Sequence, residues 1–205
     1  MTDPTPAPEP GTPSSGWAAP PPPAPRAEAG PAGFVYADVP NRAIAYIIDA
    51  ILVAIIVSIV GSILGSLGLA AATVTPGTLN ITINIVGVIV SGIVGALISA
   101  GYFIYTWTRM RATVGMRVLG MQIGNADDGK TLTTDQAARR WLVIALPSLL
   151  SQVLFVIPLI GFLLGLLSIG WFIYLVYTTA KSPTKQGFHD VYAHTMVVKA
   201  ARTAA

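Results

Sequence analysis

Two long stretches of this chain are almost purely apolar. From Ala43 to Thr108, 66 residues, the only charged side chain is Asp49, and from Leu142 to Ala180, 39 residues, there is none. An element of a water-soluble fold needs a polar face, and neither stretch supplies one. Lipid is therefore the expected solvent. The hydrocarbon core of a bilayer takes about 20 residues of helix. The first stretch divides into two such lengths, about 42–67 and 83–107, joined by a short loop, Gly68–Ile81, with the turn pair Pro76-Gly77. The second stretch is too long for one crossing and suits two, about 140–157 and 160–179. Pro158 and Gly161 lie near its midpoint, where a tight connection is required. The pattern predicts an all-α membrane protein, a four-span transmembrane helix bundle.

Charge placement orients the spans. Basic residues favour the cytoplasmic side. The loop after the first span has none. The segment between the second and third spans holds Arg109, Arg111, Arg117, Lys130, Arg139 and Arg140, and the C-terminal tail holds Lys181, Lys185, Lys199 and Arg202. With four crossings all 12 Lys and Arg lie on one side, which predicts a multi-pass protein of the cell membrane with both termini cytoplasmic. Tyr102, Tyr105, Trp107, Trp141, Trp171, Tyr174 and Tyr177 then fall toward the same inner interface, where amphipathic rings anchor helices.

Composition changes the picture at the N-terminus. Eleven of the 16 prolines fall in residues 1–33, which carry a net charge of −2 (one Arg against three acids), while the rest carries +5. Pro-rich chain without aliphatic residues buries too little to order itself, so 1–33 is expected to be a disordered cytoplasmic tail ahead of a membrane domain over 34–205. It lacks the apolar run of a secretory signal and is expected to stay on the protein. The Pro20–Pro25 run (PPPPAP) has the form of a segment that docks in an aromatic groove of a cytoplasmic partner; the simpler reading is a tether. The absence of cysteine excludes disulfides and thiolate metal sites.

Helices in lipid associate through small residues. Gly87, Ser91, Gly95 and Ser99 recur every fourth position in the second span; Ser58, Gly61, Ser62, Gly65 and Ser66 mark the first, and Gly161 and Gly165 the last. These are seams, either within one bundle or between the copies of a homo-oligomer. The segment Thr113–Thr133 reads as a small cytoplasmic β-hairpin insertion: Val118, Leu119, Met121 and Ile123 form a strand, NADDG (Asn125–Gly129) a turn, and Thr195–Lys199 a strand that adds to it. Thr133 with Gln136 three residues on is a capping box that opens the next helix. The basic residues here are interleaved with Asp127, Asp128 and Asp135 and flank spans, so contact with anionic lipids at the cytoplasmic face is expected and nucleic-acid binding is not.

Asp49 is the anomaly, a carboxylate about two turns inside a span. Arg42 precedes it by seven residues, so both side chains project from one face about 10 Å apart along the axis. That is long for a direct pair, and each is expected to meet a partner from another span. A buried carboxylate there is either a proton or small-cation site or a structural pair that fixes register. Beyond the last span stand His189, Asp190 and His194. Two imidazoles five apart are a weak metal signal; the alternative is that Asp190 pairs with Arg42, Arg139 or Arg140 and locks the tail to the bundle. No metal, cofactor or catalytic constellation is expected, and an enzyme is the least favoured class.

Arg42 opening the first span, Asp49 within it, and Asp190 after the last span together resemble the RDD family of multi-pass membrane proteins, named for one arginine and two aspartates. TVGMRVLG (Thr113–Gly120), Asp128-Gly129, Arg139-Arg140 and the ending Ala193–Val198 are similar to further family segments, with Met116 where the family usually has Lys, and the tail resembles that of mycobacterial proline-rich members. The likeness implies a charge network of Arg42, Asp49 and Asp190, joined by Arg139, Arg140 and His189. For function it implies transport of an unidentified small ligand, or cation/proton exchange. The other class carried forward is a non-catalytic scaffold that recruits a partner through the Pro-rich tail.

Overall fold

A computed structural model describes residues 34–78, 80–154 and 157–199. The expected disordered tail, 1–33, and Arg202 lie outside them. Helix α1 (Val39–Leu64) has Pro40 in its first turn, where a missing N–H leaves no bond unmade, and Asn41 Nδ2 donates to both carboxylate oxygens of Asp38 at 2.9 and 3.0 Å. Ile47, Ile51, Ile55, Ile59 and Ile63 recur every fourth residue, and all are exposed, Ile59 at 58%. An unbroken isoleucine stripe turned outward suits lipid and not water. The helix ends in a wider turn, Gly65–Leu69, in which Gly68 takes φ 80°.

The connection that follows is more ordered than a plain loop. Strands β1 (Ala72–Val74) and β2 (Ile81–Ile83) pair antiparallel, Thr73 opposite Thr82. Five of their six residues are Thr, Val or Ile, and Gly77 in the expected turn takes φ 80°. Asn84 then caps helix α2 (Ile85–Tyr105), accepting from Gly87 N at 3.0 Å. A Cβ on Gly87 would lie 2.5 Å from Ala70 O, so only glycine lets α2 start this close to the end of α1.

Past a wide turn, Thr106–Met110, the chain departs from the strand expected to begin at Val118. Thr113 Oγ1 accepts from Met116 N at 3.2 Å and caps a short helix, α3 (Val114–Val118), and Gly120 at φ 65° redirects the chain. A local side-chain cap thus overrides β-branched propensity. Strand β3 (Met121–Asn125) pairs antiparallel with β4 (Thr195–Lys199), Ile123 opposite Val197. The two-stranded ribbon is therefore closed by the C-terminal strand, and no second strand comes from within 113–133. Tyr36 bridges to Val198 on the other side of β4, which explains why Thr195 through Val198 are all buried. The NADDG turn forms as expected, with Gly129 N donating to Asn125 O at 2.9 Å.

Helix α4 (Thr134–Val153) carries the expected capping box: Gln136 N donates to Thr133 Oγ1 at 3.2 Å and Thr133 N to Gln136 Oε1 at 3.1 Å. Helix α5 (Pro158–Lys181) and the short α6 (Phe188–Tyr192) follow. The helices alternate in direction: Asp49 meets Tyr102 and Val57 lies by Gly95 between α1 and α2, while Trp171 Nε1 donates to Val143 O and Ser151 Oγ to Gly161 O between α5 and α4. The Gly/Ser seam of α2 packs within the bundle. Gly95 faces Val57 and Gln152, each 3.7 Å from where a Cβ would stand, and Ser99 Oγ accepts from Trp141 Nε1 at 3.1 Å.

Among the described residues, three helical stretches are long and apolar enough to cross a membrane: Val39–Leu69, Ile85–Met110 and Leu159–Lys181. Helix α4 falls short because its first turns are polar; its apolar part, Trp141–Val153, is 13 residues, about 20 Å of rise against about 30 Å of hydrocarbon. The core joins one end of the bundle to the ribbon, through Ala45, Phe103, Trp107, Met116, Ile123 and Val197.

Candidate functional site

Asp49 is 2% exposed, yet its carboxylate has three donors. Tyr102 donates its hydroxyl to Oδ1 at 2.6 Å and Gly115 its backbone N–H to Oδ1 at 2.8 Å, while Thr113 Oγ1 donates to Oδ2. The donors come from α2 and from the turn that opens α3. Gly115 is required there, because a Cβ would stand 2.2 Å from Ala45 O in α1. No cation lies within ion-pair distance of Asp49 among the described residues. Hydrogen bonds hold the group, with no partner charge fixed to it among the described residues.

Arg42 turns to the other aspartate. Its Nη1 lies 3.0 Å from Asp190 Oδ2, its Nη2 donates to Val197 O at 2.8 Å, and its Nε to Ala37 O at 3.1 Å. Arg140 Nη1 pairs with Asp190 Oδ1 and donates to Thr195 Oγ1 at 2.6 Å. Gly187 N, opening α6, donates to Asp190 Oδ2 at 3.1 Å, and Thr195 Oγ1 to Oδ1 at 3.1 Å. Asp190 thus gathers the start of α1, the first half of α4, and the segment after α5. Burial pushes its carboxyl group up, but Arg140, His189 and Arg42 outweigh this and hold it below the usual carboxylate range. His189 Nε2 lies 3.5 Å from Asp190 Oδ2. Burial pushes the His189 imidazole down to about 4, Asp190 opposing and the two guanidinium groups adding to the fall, so the ring is neutral at pH 7.

Beside Asp49 lies a cavity of ≈ 90 Å³, its wall including Arg42, Asp49, Trp107, Arg140 and His189. Arg42 and Asp49 share a face as the spacing requires, and each meets a partner from elsewhere in the chain. Of the three candidate partners for Asp190, Arg42 and Arg140 take the role. Arg139 instead pairs with Asp135 on the exposed side of α4, Nε to Oδ2 2.9 Å. His194 stays apart, its carbonyl accepting from Gln136 Nε2 at 3.2 Å. Sequence reading missed Tyr102, Trp107, Thr113, Gly115 and Thr195 as site residues. Thr113 and Gly115 left a trace in the TVGMRVLG segment and Thr195 in the ending Ala193–Val198; Tyr102 and Trp107 read as interface aromatics. Met116, where the family usually has Lys, is buried in the cavity wall and adds no charge.

No curated protein and no solved structure matches the chain. The family model described as RDD family matches residues 36–194, from the bridge residue Tyr36 to just past α6. The match takes in Arg42, Asp49 and Asp190, and long apolar helices surround them. The chain is an integral membrane protein and belongs to the RDD family.

Proposed function

We propose that this protein transports a small ligand across the membrane, with Asp49 as the group that takes up and releases a proton; cation/proton exchange is the simplest form of that cycle. The observation that carries the reading is a carboxylate buried within an apolar helix, held by hydroxyl and amide donors and facing a cavity, rather than locked to a cation. Buried intramembrane carboxylates of this kind are costly, and they recur on proton and ion pathways. The reading is non-enzymatic. One bundle of this size is small for alternating access between two halves, so transport is read as the work of a homo-oligomer.

The reading takes α4 as the fourth crossing, and chain direction supports this. Arg42, Trp107, Arg140 and Asp190 gather at one site, so α1 begins, and α2 and α5 end, on the same side. An α5 that ends there begins on the far side, and α4 is what carries the chain across. Its short apolar part packs against α2 and α5 on one side and leaves Leu142, Leu146, Leu150 and Val153 exposed. With that side cytoplasmic, as the basic residues favour, both termini are cytoplasmic and Arg109, Arg117 and Lys130 lie near anionic headgroups. The test is flux into reconstituted vesicles over several cations and a pH gradient. Wild type should show gradient-dependent flux and Asp49→Asn should lose it; equal flux removes Asp49 from the cycle.

A scaffold function is the second reading, carried by the sequence tract Pro20–Pro25. A protein lacking residues 1–33 should then fold normally and lose its co-purifying partners. An unchanged partner set rejects recruitment by the tail.

A further inference from the structure

The β1–β2 hairpin stands at the end of the bundle opposite Asp190, and Ala72, Thr73, Val74, Ile81 and Thr82 are all exposed. Its register sorts it into two unlike faces. Residues directly opposite in an antiparallel pair share a face, and successive residues alternate. Ala72 lies opposite Ile83 and Val74 opposite Ile81, so these four make one wholly apolar face, while Thr73 and Thr82 make the other. Val74 and Ile81 are 65% and 66% exposed. A two-stranded hairpin is marginal in water by itself, and one with an open aliphatic face needs a surface to lie on.

The surrounding helices identify that surface. Ile59, Ile63 and Leu67 recur every fourth residue along α1 and its wide turn, and Ile85, Ile89, Ile93 and Leu97 do so along α2, all of them exposed. These are the lipid-facing stripes of two spans, and the hairpin joins their ends. Its level agrees. Counting about 20 residues of helix back from Thr108, the last before Arg109, crosses the hydrocarbon at Ile89. Asn84 then lies about 8 Å beyond it, in the headgroup zone. Asn84 N donates to Ala71 O at 3.0 Å and Asn84 Nδ2 to Gly68 O at 3.3 Å, which ties the base of the hairpin to the start of α2 at that level. From Ala50 to Thr108 the chain has no charge, so nothing on the hairpin resists the acyl boundary and nothing on it draws anionic headgroups. Depth is limited by the backbone. Both strands are edges, and hydrocarbon would leave their outer N–H and C=O groups unsatisfied.

We propose that the β1–β2 hairpin is a membrane-surface anchor, lying on the leaflet opposite Asp190 with Ala72, Val74, Ile81 and Ile83 turned into the headgroup–acyl boundary and Thr73 and Thr82 turned to water. The partner is the lipid surface itself, taken without regard to headgroup charge. The proposal is independent of the transport reading.

The chain has no cysteine, so one introduced thiol carries one spin label. The full chain is labelled singly as Val74→Cys, Ile81→Cys, Thr73→Cys or Thr82→Cys and reconstituted in phosphatidylcholine vesicles, with and without phosphatidylglycerol. Collision of each label with oxygen, which concentrates in lipid, is compared with collision with a water-soluble nickel chelate. Ile59→Cys on the lipid-facing stripe and Lys130→Cys, whose native side chain is 81% exposed, set the two ends of the scale. The oxygen-to-nickel ratio at positions 74 and 81 should exceed that at 73 and 82 several-fold and fall between the two references. It should not change with phosphatidylglycerol. Four equal ratios at the Lys130 level would overturn the proposal, because the hairpin would then stand in water. Labels at 74 and 81 shielded from both reagents, with spin–spin broadening, would replace lipid by a second copy of the chain. A ratio that rises only with phosphatidylglycerol would reject a charge-indifferent anchor.

Discussion

Asp190→Asn is the sharpest probe of how the fold is held together. The carboxylate is fully buried and faces two guanidinium groups whose side chains are 11% and 6% exposed. Asparagine keeps the shape, but it has one acceptor oxygen in place of two and presents N–H groups to one of the arginines. Arg42 and Arg140 then share a buried position with no counter-charge between them. Removing one partner of a buried ion pair costs about 3–5 kcal/mol, chiefly because the other charge is left uncompensated. At about 2–4 °C per kcal/mol for a domain of this size, thermal unfolding in detergent should fall by roughly 6–20 °C. The loss should start at the tail, since Asp190 ties α6 and β4 to α1 and α4, so trypsin should cut at Lys185 and Lys199 before the bundle melts. Adding Arg140→Gln removes one of the stranded charges, and the double variant should be more stable than the sum of the two single losses implies, by about 1–3 kcal/mol. Stability of Asp190→Asn within about 1 kcal/mol of wild type, or strict additivity in the double variant, would refute the idea that this carboxylate is the tie.

Other expectations follow from the same geometry. His189 stays neutral down to about pH 4 in the folded state and takes a proton near 6.5 when unfolded. Its contribution is therefore complete above about pH 6.5 and declines as the pH falls toward 4, by up to about 3 kcal/mol. Asp190, held low, adds to the loss only below the carboxylate range. Melting curves against pH check this, and His189→Asn should flatten the segment between pH 6.5 and 4. Gly115→Ala sets a Cβ 2.2 Å from Ala45 O and displaces a donor of Asp49, and should cost at least 1–3 kcal/mol; Gly61→Ala, with open space around it, should be neutral or stabilising by up to about 1 kcal/mol in the same unfolding assay. Thr133→Ala removes the cap of α4 and should cost about 1 kcal/mol, read by the same melt.

The apolar periodicity needed no tertiary information. Long uncharged stretches can be solvated only by lipid, so the helices over Val39–Leu69, Ile85–Met110 and Leu159–Lys181 were legible from composition and length. So was the capping box at Thr133, because its partners are three residues apart. The ribbon was half legible: the two strands lie some 70 residues apart in sequence, and nothing local to Met121–Asn125 says that its partner is Thr195–Lys199. Val118 misled because a hydrogen bond from Met116 N to Thr113 outweighs one residue's propensity.

The chain alone determined that Arg42, Asp49 and Asp190 are anomalous, since a charge beside or within an apolar helix is visible as a break in pattern. Only the tertiary structure decided how they sort. Arg42 and Asp49, on one helix face, look like a pair, yet Arg42 joins Arg140 around Asp190 while Tyr102, Thr113 and Gly115 enclose Asp49. The reason is physical: along a helix, seven residues separate the two groups by about 10 Å, whereas packing brings groups from α2, α3 and the tail to within about 3 Å of them. Electrostatics and hydrogen bonding act over that shorter distance, and sequence spacing does not encode it.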